Sequence, residues 1–61
     1  MKNEIFLSTE QYYEMSVDNL IEHAKKLQKE YKNTEKKLVK NMLKTHYKEI
    51  INIIEDKIIN E

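Results

Sequence analysis

The 61-residue sequence contains no cysteine, glycine, proline or tryptophan. Without cysteine it can form neither a disulfide nor a thiolate metal site, and without glycine it has no glycine-rich phosphate-binding loop. A domain of this size buries only about 60% of the surface that its unfolded chain exposes. Helix packing, self-association or a partner must therefore supply the remaining stability. We expect one small helical domain over residues 1–61, with residues 1–7 loosely ordered.

Arginine is also absent, and all eleven basic residues are lysine. Together with the abundance of asparagine and isoleucine, this is typical of AT-rich coding sequences, such as those of low-GC bacteria and their phages. The formal net charge is zero, so no overall attraction to nucleic acid or to a membrane follows. No signal peptide and no run of about 20 apolar residues for a membrane span are recognisable. We therefore expect a cytoplasmic protein without a membrane partner.

Two helix-start signals occur in the first third of the chain. Ser8 and Gln11 have the spacing of a capping box, and Ser16 is a second candidate N-cap. The pattern predicts a helix over about 9–32 that is either continuous or broken near 16. The continuous form is favoured because one apolar seam passes through both signals. The seam consists of Phe6, Tyr13, Val17, Leu20, Ala24, Leu27 and Tyr31.

No apolar residue occurs between Lys32 and Lys37, which predicts a turn at 33–34. Asn33 is expected to end the first helix in the left-handed conformation, and Thr34 to cap a second helix over about 35–60. The alternative is a single long helix from 17 to 60, because nothing in this gap forbids one.

The apolar residues of the final helix spread over roughly 180° of its circumference, at 100° per residue. One neighbouring helix cannot cover so broad an arc, so the sequence predicts an all-α helical hairpin that dimerises into an antiparallel four-helix bundle. The alternative is a monomeric three-helix bundle, in which residues 5–15 cover the apolar surface of the final helix that one neighbouring helix leaves exposed. The layout resembles the plasmid copy-control helical-hairpin dimers that bind RNA loops, in length and arrangement only. The residues predicted for self-association are Val39, Met42, Leu43, Tyr47, Ile50, Ile51, Ile54 and Ile58.

Charge is distributed unevenly along the chain despite the neutral total. Residues 1–24 carry one lysine against five acidic residues (net −4), and residues 25–48 carry nine lysines against two (net +7). Residues 49–61 carry one lysine against four acidic residues (net −3). In a hairpin the basic third forms the turn end, so two hairpins packed head to tail would place each basic end beside an acidic one. This pattern independently favours an antiparallel dimer.

The basic third also contains a ridge of lysines that could follow a phosphate backbone. Base-specific recognition is disfavoured, because the arginine that reads guanine is missing. Tyr12 and Tyr13 cannot both face one seam, and Tyr12 is a candidate contact residue. The candidates for contact with a partner or nucleic acid are Lys37, Lys40, Lys44, Lys48 and Tyr12.

Catalytic chemistry has no recognisable residue set in this sequence. No Ser/His/Asp or Cys/His combination can be assembled, and no cofactor motif is present. His46 and Glu49 have the order His-x-x-Glu, whereas a helical di-metal site needs Glu-x-x-His twice. Hydrogen-bonded histidines at the core boundary are therefore expected, without a metal. The sequence predicts a non-catalytic interaction protein, such as a phage or mobile-element regulator or inhibitor that binds a host protein stoichiometrically. The alternative is a nucleic-acid-binding accessory dimer.

Overall fold

The computed structural model describes residues 5–60, and within this range the chain forms three α-helices and no strand. Helix α1 comprises Thr9–Glu14, α2 comprises Val17–Asn33 and α3 comprises Lys37–Ile59. The predicted all-α class is confirmed over this range. The expected loose order of residues 1–7 falls mostly on residues 1–4, which lie outside the described residues. Ile5 and Leu7 are half-buried and pack against the core.

Helix α1 begins at the capping box that the sequence predicted. The Ser8 hydroxyl accepts a hydrogen bond from the Gln11 amide at 3.2 Å, and the Gln11 side chain accepts one from the Ser8 amide at 2.9 Å. Both bonds satisfy amides that have no partner within the helix. The start of α1 is thus fixed by local hydrogen bonding.

The favoured continuous helix over 9–32 is wrong, because α1 ends at Glu14. Met15 and Ser16 are extended, and the Ser16 hydroxyl accepts a hydrogen bond from the Asn19 amide at 3.2 Å. In a continuous helix that amide would pair with the Met15 carbonyl. The serine cap replaces that bond, which leaves the chain free to change direction between α1 and α2.

The connection between α2 and α3 lies slightly beyond the predicted turn. Asn33 is the last residue of α2, and Thr34 and Lys36 are both extended. No described residue has a positive φ, so the predicted left-handed Asn33 is wrong. Thr34 does not cap α3; its hydroxyl accepts a hydrogen bond from the Lys36 amide at 3.3 Å. The interruption at 34–36 also excludes the single long helix from 17 to 60.

Helices α2 and α3 lie side by side and run in opposite directions. The N-cap residue Ser16 and the first two residues of α2, Val17 and Asp18, line one surface depression with Asp56 and Asn60 at the end of α3. Further along, the Gln28 side chain donates a hydrogen bond to the Tyr47 hydroxyl at 3.2 Å. Beside the connection, the Lys40 ammonium lies 5.1 Å from the centroid of the Tyr31 ring.

The core lies between α2 and α3 and is closed on one side by α1. Tyr12, Leu20 and Ile50 are completely buried, and each such side chain stabilises the fold by roughly 1.5–3 kcal/mol. Helix α1 is held against α3 by a hydrogen bond from the Thr9 hydroxyl to the Glu49 carboxylate. The buried apolar residues are Tyr12, Leu20, Ala24, Leu27, Leu43, Ile50 and Ile53.

Candidate interaction surfaces

Tyr12 connects the N-terminal segment with the final helix. Its hydroxyl lies 2.9 Å from Nδ1 of His46, 3.2 Å from the Leu7 amide that donates to it, and 3.4 Å from the Ile5 carbonyl oxygen. The side chain has no exposed surface, so the prediction of Tyr12 as a partner contact is wrong. A buried tyrosine is stable here because its hydroxyl finds polar partners. The neighbouring tyrosine on the surface is Tyr13, which is 48% exposed.

Both histidines are engaged in contacts within the chain. Nε2 of His23 lies 2.8 Å from the Ile5 carbonyl oxygen, and its ring meets the Tyr12 ring edge-on at a centroid distance of 5.6 Å. The His46 ring lies 4.9 Å from the Phe6 ring, centroid to centroid. The two imidazoles therefore flank Tyr12 from α2 and α3. Among residues 5–60, no group of three or more histidine, aspartate or glutamate side chains could hold a metal ion.

Burial raises the pKa of Tyr12 above the ordinary value of 10.0, the hydrogen bond from the Leu7 amide lowers it, and the Glu49 carboxylate raises it. The native state therefore retains this proton at a pH where the unfolded chain releases it. We expect the free energy of unfolding contributed by Tyr12 to be fully present below about pH 10 and to fall as the pH rises further. Urea unfolding at several alkaline pH values checks this. In Tyr12→Phe the free energy of unfolding should fall less steeply with rising pH than in the original chain. The same pH dependence in both proteins would contradict the prediction.

The structure divides the predicted self-association residues into three groups. Leu43 is 1% exposed and Ile50 is 0% exposed, so both belong to the core of the single chain and their assignment to a dimer surface is wrong. Met42 is 43% exposed and Ile58 is 60% exposed. The others are half-buried: Val39, Tyr47, Ile51 and Ile54.

Four of these residues form one line along α3, on the side where Tyr47 meets Gln28 of α2. Tyr47, Ile51, Ile54 and Ile58 follow each other at intervals of four, three and four residues, which places them on one side of a helix. A matching line on α2 consists of Val17, Ile21, Gln28 and Tyr31, which are half-buried or exposed. We call these eight residues the open face. The hydrogen bond between Gln28 and Tyr47 joins its two halves.

A second uncovered apolar surface lies near the start of α3, and sequence reasoning missed its main residue. Leu38 is 74% exposed, and Met42 follows it one turn later at 43%. Leu38 lies outside the apolar arc of α3, so the periodicity that indicated the other residues did not select it. We call Leu38 and Met42 the Leu38 patch. Ile59, which is 78% exposed at the opposite end of α3, was also missed.

The four lysines of the predicted ridge all lie on α3, but they differ in exposure. Lys37, Lys44 and Lys48 are exposed. Lys40 is half-buried, and its ammonium lies over the face of the Tyr31 ring. A cation in this position is attracted to the ring electrons, so Lys40 is partly engaged within the chain.

No family model, curated protein or solved structure matches the chain. The surfaces just described must therefore be interpreted from their own chemistry. Among the described residues, no helix combines the length and the apolar character needed to cross a membrane.

Proposed function

We propose that this chain is a non-catalytic helical interaction protein that acts stoichiometrically. It binds a partner protein of the host, in the manner of a phage or mobile-element regulator or inhibitor, and it associates with itself as an antiparallel homodimer. The observation that carries the proposal is that α3 presents uncovered apolar side chains on two different sides. Apolar surface that is aligned along a helix and left open marks a binding site in a soluble protein more often than scattered residues do.

The two surfaces suit different partners. The open face is long and runs along both α2 and α3. A pair of such faces would complete a four-helix bundle. Oligomeric state distinguishes this dimer from the alternative, in which the three helices stand alone as a monomer.

The Leu38 patch is the proposed contact for the host protein. It lies beside the connection at 34–36, away from the line Tyr47 to Ile58 that the homodimer would cover. Leu38 and Met42 lie one helical turn from each other on the surface of α3. Helices that bind in a groove of another protein insert apolar anchor residues with this spacing.

Nucleic-acid binding is the second candidate, and the observation in its favour is the row of exposed lysines. Lys37, Lys44 and Lys48 could neutralise successive phosphates along one strand. Lys40 contributes less, because it is held over the Tyr31 ring. The missing arginine argues for backbone contacts without base selection.

The proposal predicts that Leu38→Glu with Met42→Glu abolishes capture of a host protein by the tagged chain. Truncating or charging a central apolar anchor costs about 2 kcal/mol or more of binding free energy. Affinity capture from the organism's own extract, followed by native mass spectrometry, would identify the bound protein and its stoichiometry. Asn19→Glu with Lys25→Glu, on exposed positions of α2, is the double control and should retain capture.

Two outcomes would count against this function. A captured protein that binds the Leu38/Met42 variant as tightly as the original chain would remove the Leu38 patch from the proposal. A gel shift on single- or double-stranded nucleic acid that weakens steeply with salt, and is lost in Lys40→Glu with Lys44→Glu, would favour the second candidate.

A further inference from the structure

A groove opens between α2 and α3 next to their connection. Its volume is about 340 Å³. Leu27 and Leu43, which are each 1% exposed, form the floor of the groove. Two tyrosines and two lysines line its sides. These side chains are Tyr31, Tyr47, Lys32 and Lys44. The groove therefore combines an apolar floor with aromatic walls and a basic rim.

No acidic residue lines this groove, and the surrounding sequence makes it more basic still. It belongs to residues 25–48, which carry a net charge of +7, and Lys40 adds its charge at the Tyr31 wall. A neutral or cationic apolar segment would leave these lysines without counter-charges. An occupant with isoleucine or leucine side chains flanked by carboxylates would satisfy both the floor and the rim.

The opposite end of the same chain has this composition. Ile58 and Ile59 are 60% and 78% exposed, and Asp56 lies in the same last turns of α3. Residues 49–61 carry a net charge of −3. Because α2 and α3 are antiparallel, this apolar and acidic end lies far from the chain's own groove. It can reach a groove only on another molecule.

From these features we infer that the groove is the docking site for the last turns of α3 of a second copy. Ile58 of that copy enters between Tyr31 and Tyr47, and its Glu55 and Asp56 lie at the lysine rim. Tyr47 and Ile58 are joined by the apolar line of the open face, about 16 Å long for eleven residues of helix. A two-fold axis across the middle of this line would bring each copy's end to the other's groove. The contact is then made twice in one closed dimer.

This inference rests on the proposed homodimer and specifies how it is built. Lys32→Glu with Lys44→Glu makes the groove rim acidic, and Glu55→Lys with Asp56→Lys makes the helix end basic. Each variant alone should dimerise at least about tenfold more weakly than the original chain, because four charge pairs become repulsive. An equimolar mixture of the two should recover the dimer, since every groove again meets an end of opposite charge. Sedimentation equilibrium measures all three samples, and circular dichroism checks that each remains helical.

Each other result has a definite meaning. If the original chain dimerises and neither variant is weakened, the groove is not the docking site, although the homodimer stands. Weakening without recovery in the mixture also overturns the inference, because the charges would then act outside this pairing. An original chain that remains monomeric at high concentration removes the homodimer and the docking site together, while partner binding through the Leu38 patch is tested separately.

Discussion

Tyr12→Ala is expected to destabilise the chain by about 3–5 kcal/mol, the usual cost of removing a large buried aromatic side chain. The ring is completely buried, and its hydroxyl contacts both the N-terminal segment and α3. Removing it leaves a cavity and deprives Nδ1 of His46 and the Leu7 amide of a partner. A domain of this size has a total stability of about 3–9 kcal/mol, so much of the population should be unfolded. Urea or thermal unfolding followed by circular dichroism measures the effect.

Tyr13→Ala provides the matched control, because it removes the same side chain from the adjacent position. Tyr13 is 48% exposed, and alanine is favourable in a helix, so the change should cost no more than about 1 kcal/mol. Tyr12→Phe separates packing from hydrogen bonding and should cost about 1–2 kcal/mol. Equal stabilities of the two alanine variants would show that Tyr12 does not hold α1 in place.

Ile50→Asp is expected to unfold the single chain, whereas Ile58→Asp should leave it folded and weaken only self-association. Ile50 is 0% exposed and Ile58 is 60% exposed. A carboxylate at the first position would be buried without a partner, at a cost of several kcal/mol. At the second position it remains in water, and its unfavourable interaction with the helix dipole costs about 0.3–1 kcal/mol. Circular dichroism reports the folding of each variant, and sedimentation reports its mass.

This pair also tests which isoleucines face a second copy. Ile54 is half-buried and lies between the two sites, so Ile54→Asp would combine both effects and is less informative. A folded and monomeric Ile50→Asp chain would place Ile50 on the dimer surface after all. If Ile58→Asp unfolds the chain, the end of α3 is needed for the core. Ile58 would then no longer belong to the surface that is available to a second copy.

The sequence was sufficient to predict the parts of the fold that depend on local interactions. The capping box at Ser8 is formed by residues three apart, and it occurs as predicted. The part of the apolar seam that lies on α2 is equally local, and its members Leu20, Ala24 and Leu27 are all buried. On α2, helical periodicity was enough to indicate the side that faces the core.

The N-terminal segment could not be predicted in the same way, because competing local signals differ by little energy. The seam through Tyr13 favoured a continuous helix, while the Ser16 hydroxyl offered a cap worth about 1 kcal/mol. The break allows α1 to turn so that Tyr12 faces His46, 34 positions away in sequence. Such a distant contact leaves no trace in a periodic pattern. It decided both the position of α1 and which tyrosine is buried.

The division of α3 into core and surface residues depended on the same distant contact. The wide apolar arc of α3 packs against α1 as well as α2. Once α1 covers one side of it, Ile50 and Ile53 become interior, and the side carrying Ile58 stays open. Counting apolar residues could show that α3 has more apolar surface than one neighbouring helix covers. It could not show which of these residues stay exposed.

The antiparallel course of α2 and α3 also determines how the charges act at a distance. The lysine-rich connection and the acidic end of α3 lie at opposite ends of a molecule 38 Å long. At physiological ionic strength the Debye length is about 8 Å. The two ends are several Debye lengths apart, so the electrostatic interaction between them is largely screened. An approaching molecule therefore encounters either a cationic surface or an anionic one. The formal net charge of zero is thus the sum of two separate surfaces of opposite sign.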